Sequence, residues 1–66
     1  MKLSYNKLWK LLIDKKMSKQ TLRNATGISS ATMAKLNKGE SVTTEILLRI
    51  CKALECDISE IMEIEF

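Results

Sequence analysis

Between Ser18 and Gly39 the chain reads SKQTLRNATGISSATMAKLNKG, a stretch of small, hydroxyl-bearing and basic residues set around single apolar ones. Side chains of these types donate and accept hydrogen bonds and neutralise anions. Ser30 and Thr32 can donate or accept at several base edges, the methyls of Ala31 and Thr32 can meet a thymine methyl, and Lys35 can reach guanine O6/N7 or a phosphate. Lys19 and Gln20 before this set, and Lys38 beside Gly39 after it, are candidate phosphate anchors. Further on, Thr43 and Thr44 offer a hydroxyl and backbone N–H groups for the same use. The plainer alternative is a solvent-facing polar helix face opened by a capping serine. Catalysis is the class least supported, because the chain has no histidine and no carboxylate pair beside a nucleophile.

To act together, these residues need two short helices joined by a sharp turn. Gly27 can take the left-handed conformation that stops one helix, and Ile28 then packs back as the start of the next, with Met33 and Leu36 turned inward. The surrounding chain repeats one local pattern five times: an apolar residue, then Ser, Thr or Asp, then a second apolar residue five positions after the first. The instances are Leu3–Ser4–Leu8, Met17–Ser18–Leu22, Ile28–Ser29–Met33, Val42–Thr43–Leu47 and Cys56–Asp57–Ile61. Each reads as an N-cap with a hydrophobic staple, and Glu60 adds a capping-box partner to Asp57. Five starts predict five helices, at about 5–16, 19–26, 30–37, 44–55 and 58–63.

With no proline and two glycines, the expectation is an all-α fold: one compact five-helix domain spanning residues 1–66. Tyr5, Leu8, Leu11 and Leu12 face its core from the first helix, and Leu47, Ile50, Cys51 and Leu54 from the fourth. Ile46 and Leu48 fall off that stripe. Trp9 is expected to cover the core's edge, ahead of serving as an exposed contact. Met62, Ile64 and Phe66 alternate with Glu63 and Glu65, and Met1 and Leu3 flank Lys2. The termini are therefore expected to be short and extended, pairing with each other or between two subunits.

Charge is strongly segregated. Residues 1–39 hold nine Lys or Arg against the single acid Asp14, whereas residues 40–66 hold two against seven acids, so +8 and −5 combine to the net +3. A basic half this lopsided suits a polyanion. No apolar run is long enough to span a membrane and no secretory signal opens the chain, so a cytoplasmic location is expected. Cys51 and Cys56 are too few for a disulfide scaffold and, without histidine, cannot complete a four-ligand zinc site. They are expected to be small buried hydrophobes, not placed side by side on a helix by their spacing.

The stretch SKQTLRNATGISSATMAKLNKG, followed by Leu47, Ile50, Ala53, Leu54 and CDISEIM, resembles the lambda-repressor-like (Xre/Cro) family of five-helix transcriptional regulators. The likeness runs from about Tyr5 to Met62, with Leu22, Gly27, Ile28, Ser29, Leu36 and Gly39 in the expected relation. It implies double-stranded DNA as partner, a homodimer, and a third helix that puts Ser29, Ser30, Ala31, Thr32 and Lys35 at bases or adjacent phosphates. Lys19, Gln20 and Thr43 would then clamp the backbone. Neither cofactor nor small-molecule ligand is expected.

Three departures from the family pattern stand out. Arg23 replaces a small residue at the contact of helices 2 and 3, and its charge must reach outward, where it can add a phosphate contact. Leu12 and Asn37 stand where many members carry an Arg–Glu pair, which an apolar Leu12 contact is expected to replace. Ser30 and Ala31 stand where Gln or Asn often reads adenine, which predicts weak direct readout. The competing function is a protein-interaction or antitoxin-like module using the acidic half.

Overall fold

Caps decide where helices begin in this chain. The computed structural model describes residues 1–66 and runs β1 (Lys2–Ser4), α1 (Asn6–Asp14), α2 (Lys19–Thr26), α3 (Ser30–Lys38), α4 (Thr44–Leu54), a 3-10 turn (Ile58–Glu60) and β2 (Glu63–Glu65). Ser18, Ser29 and Thr43 are extended residues whose side-chain oxygens accept from the N–H groups of Thr21, Thr32 and Ile46, as the repeated pattern predicts. The first and fifth starts differ. Ser4 belongs to β1 and α1 begins after Tyr5 without a side-chain cap, although Ser4 Oγ accepts from the Asn6 N–H at 3.2 Å.

The fifth helix is not present. Asp57 and Glu60 do form the capping box, but they cap a single 3-10 turn, so the fold has four α-helices and a two-stranded sheet. The reason lies beyond the cap: Ile61 must enter the core and the residues after it must run extended to reach β1. β1 and β2 pair antiparallel within the chain, with Lys2 opposite Glu65, Leu3 opposite Ile64 and Ser4 opposite Glu63. Of the two pairings open to the termini, the intrachain one is formed.

Each helix ends on a left-handed residue: Lys16, Gly27, Gly39 and Glu55. After α1, α3 and α4 the two reverse hydrogen bonds of a Schellman motif close the last turn, for example Cys56 N–H to Cys51 C=O at 3.0 Å and Glu55 N–H to Lys52 C=O at 3.3 Å. The cysteines are not side by side along a helix, as their spacing predicts. They do come together, across the end of α4 rather than along it, at the pair of positions where this motif places its apolar contact. Both are half-buried against the core, and burial pushes both thiols up, with the carboxylate of Glu60 adding to the effect.

Gly39 is the tighter of the two glycines. At φ +72 a side chain there is strained, and its Cβ would also stand 3.3 Å from the Leu3 carbonyl, whereas at Gly27, φ +70, nothing lies within 4 Å. Gly27→Ala should cost about 1–2 kcal/mol from the left-handed backbone alone. Gly39→Ala should cost more, a ranking that urea-unfolding midpoints of the two variants check directly.

The core is Tyr5, Leu8, Leu12, Leu22, Ile28, Met33, Leu36, Leu47, Ile50, Leu54 and Ile61, with α2 packed on α4. Leu48 stays exposed, as its place off the α4 stripe predicts, and Leu11, Ile46 and Trp9 are half-buried. Tyr5 Oη donates to the Glu40 carbonyl at 2.9 Å, tying the start of α1 to the loop before α4. Burial pushes its phenol above 10.0, partly offset by the Val42 backbone. A raised folded pKa means that its contribution is complete below pH 10 and declines as pH rises through the folded value. Tyr5→Phe should lose about 1 kcal/mol at neutral pH, measured by urea unfolding. The variant should also lose the tyrosine part of the alkaline decline, leaving the part that begins nearer pH 9 with the buried thiols.

Candidate nucleic-acid interface

Gly27 and the buried Ile28 turn the chain between α2 and α3, and burial of Met33 and Leu36 fixes how α3 is rotated about its axis. Ser30, Ala31, Lys35 and Lys38 are consequently exposed, while Thr32 is half-buried. A groove of about 190 Å³ runs between the two helices, lined by Lys19, Gln20, Arg23, Ser30, Met33, Ala34 and Asn37. The structure thus brings Lys19 and Gln20 to Ser30 across one groove. Arg23 lies half-buried along it. Lys38 lines a neighbouring polar groove with Asn37, Gly39 and Trp9.

Hydroxyl protons separate the candidates. Ser29 Oγ accepts from the Thr32 N–H and donates to Thr32 Oγ1, both at 3.1 Å, so its proton is already committed to the cap. Thr32 keeps its own proton, and Ser30 makes no side-chain hydrogen bond within the protein. Thr43, exposed, caps α4 by accepting from Ile46 and does not line the α2–α3 groove. Gln20 Nε2 donates to Asn24 Oδ1 at 3.2 Å.

The charge segregation of the sequence becomes spatial. Three ion pairs exist: Lys2–Glu65, Lys7–Glu63 and Arg49–Glu45. The first two place the acids of β2 against cations of β1 and α1. All three are solvent-exposed and contribute little stability. Lys19 and Arg23 of α2 and Lys35 and Lys38 of α3 are left without an acidic partner, which keeps the α2–α3 face positive.

Lys19 is held by neutral groups. Its Nζ donates to Asn37 Oδ1 at 2.7 Å and stands 4.3 Å from the centroid of the Trp9 ring. Trp9 therefore covers the core's edge, as expected, and presents its face to an ammonium as well. Leu12 is buried, whereas Asn37 turns to Lys19 rather than to α1. Asn37, Trp9 and Ala34 were not among the residues the sequence singled out as a site. Asn37 lies 18 positions from Lys19, and no periodicity links residues across a helix-turn-helix corner.

No helix is long and apolar enough to cross a membrane. The family model of the Cro/C1-type HTH DNA-binding domain matches residues 7–66. Among solved structures, the crystal structure of the transcriptional regulator VanUg matches with a TM-score of 0.92 and 55% sequence identity, over 94% of this chain and 83% of that one. No curated protein matches the chain.

Proposed function

Because the chain belongs to the Cro/C1-type helix-turn-helix DNA-binding domain family, we propose that it is a sequence-specific transcriptional regulator, of repressor type, that lays α3 in the major groove of double-stranded DNA. The observation that carries this reading is the α2–α3 face itself: exposed small and hydroxyl-bearing residues flanked by cations that no acid of the chain neutralises. Ser30, Ala31, Thr32 and Lys35 then meet base edges. Lys19, Gln20, Lys38 and Thr43 anchor phosphates, and Arg23 adds a cation along the groove. Ser29, committed to its cap, contributes mainly by holding the first turn of α3 in place.

The whole chain acts as one domain, and the assembly proposed is a homodimer on a two-fold symmetric site. The well-exposed Met1, Ile64 and Phe66 at the sheet, beside a groove lined by Leu3, Val42, Leu47 and Met62, support a self-contact there.

Fluorescence anisotropy with a labelled duplex across a salt series is the test. Affinity should fall steeply and linearly in log–log form between about 50 and 200 mM salt, by about 0.9 in slope per neutralised phosphate. Absence of binding at the low-salt end would show the reading to be wrong. Selection from a random duplex pool then yields the operator, and sedimentation of the complex yields the number of copies bound.

A further inference from the structure

We infer that Trp9 and Asn37 are positioning residues which hold the Lys19 ammonium as a pre-oriented, uncompensated phosphate clamp. The inference rests on the DNA-binding reading and names how one of its anchors is built. Three helices converge on one charge: Trp9 from α1, Lys19 from the first residue of α2 and Asn37 from the last turn of α3. The ammonium lies 4.3 Å from the ring centroid and donates to the amide oxygen at 2.7 Å.

The chemistry of the two holding groups matters more than their number. A lysine on an open surface samples many rotamers and must be ordered when it meets a phosphate, which weakens the contact. A carboxylate partner would order it but would also cancel its charge. An indole face and an amide carbonyl order it while leaving the full positive charge in place. An ammonium has three N–H donors. One is used by Asn37 and the side toward Trp9 faces the ring, which leaves the outward N–H for a phosphate oxygen.

The acids are kept elsewhere. The only acid among the first 39 residues is Asp14, at the far end of α1, and none of the three ion pairs involves Lys19. The clamp also has a geometric use. Since its parts come from α1, α2 and α3, a phosphate held by Lys19 is held in a fixed relation to the exposed face of α3.

Phosphate anchoring is sequence-independent, so the test uses a mixed-sequence duplex of about 20 base pairs at low salt. Trp9→Leu and Asn37→Ala should each weaken binding by about 3- to 10-fold. In a Lys19→Met background the same changes should add less than about 2-fold, because the residue they act through is gone. Asn37→Asp keeps an acceptor oxygen but neutralises the ammonium, and should lower the log–log salt slope by about 0.9. Asn37→Ala should leave that slope unchanged.

Trp9 is the only tryptophan, so its emission reports on the clamp directly. It should shift in Lys19→Met, and it should respond to duplex in the wild-type protein and not in that variant. Asn37 is exposed, which keeps the test usable if Trp9→Leu impairs folding. Full effects of the substitutions in the Lys19→Met background, or an unchanged slope in Asn37→Asp, would overturn the inference alone. A wild-type protein that does not bind duplex at all overturns the DNA-binding reading and takes this inference with it.

Discussion

Reversing Lys19, Lys35 and Lys38 together to Glu is expected to abolish duplex binding at physiological salt, a loss of about 1000-fold or more. The three cations are exposed and none has an acidic partner. Their removal therefore subtracts electrostatic attraction to phosphates without freeing a buried charge. Each phosphate that is no longer neutralised should flatten the log–log salt dependence by about 0.9, so losing the two phosphate anchors among the three cations, Lys19 and Lys38, should flatten it by about 1.8. Stability should change by no more than about 0.5 kcal/mol per site, since only Lys19 holds neighbouring side chains. Lys52→Glu on α4 is the matching control for net charge. If reversal there weakens binding as much per charge as reversal on the α2–α3 face, binding is diffuse and α3 has no privileged place in it.

Leu22→Ala is expected to remove about half of the domain's stability and to move its urea midpoint far below that of wild type. Leu22 is wholly buried, on the face of α2 that packs against α4, where Ile50 is equally buried. Truncating such a leucine costs about 2–5 kcal/mol, the removed methyl groups and the residual cavity together. A domain of 66 residues has only about 3–10 kcal/mol to lose. Far-UV circular dichroism with urea titration reads the result. Retained cooperative unfolding with a midpoint near that of wild type would show that α2 and α4 do not share one core. DNA binding should fall in step with the folded fraction, because α2 carries Lys19 and leads into the turn that aims α3.

Much of this fold is legible from local pattern. Ser18, Ser29 and Thr43 announce three helices because a capping oxygen and a staple are made from residues adjacent in sequence, and Gly27 and Gly39 mark two stops because they alone tolerate the left-handed backbone freely. Lys16 and Glu55 take the same conformation without that signal. They do so because the Schellman hydrogen bonds of their motifs outweigh the steric cost at a non-glycine residue. The same limit explains the fifth helix. Asp57 and Glu60 form the capping box that the sequence predicts, but a cap sets only where a helix starts, and its length depends on the residues beyond. Here the pull of β1 on residues 63–65, a contact between opposite ends of the chain, wins.

The candidate interface divides in a similar way. Ser30, Ala31, Lys35 and Lys38 are exposed on α3 as the spacing of Met33 and Leu36 requires, so their availability follows from the sequence. Whether a hydroxyl is free does not: Ser29 and Thr32 look alike as letters, yet one proton is committed to the cap and the other is not. Nor could Trp9 and Asn37 be connected with Lys19 before three helices were placed around one corner.

The pairing of Leu3 with Ile64 also orders events in time. Helices of this chain are closed by contacts within a few residues, whereas the sheet requires the two ends to meet across nearly the whole length of the chain, the most entropically demanding loop it can form. β1 and β2 are therefore expected to pair after the helical core has collapsed and to open early in the native state, an order that hydrogen exchange at residues 2–4 and 63–65 checks. Their opening would part Lys2 and Lys7 from Glu65 and Glu63, freeing two cations and two acids together with no change in net charge.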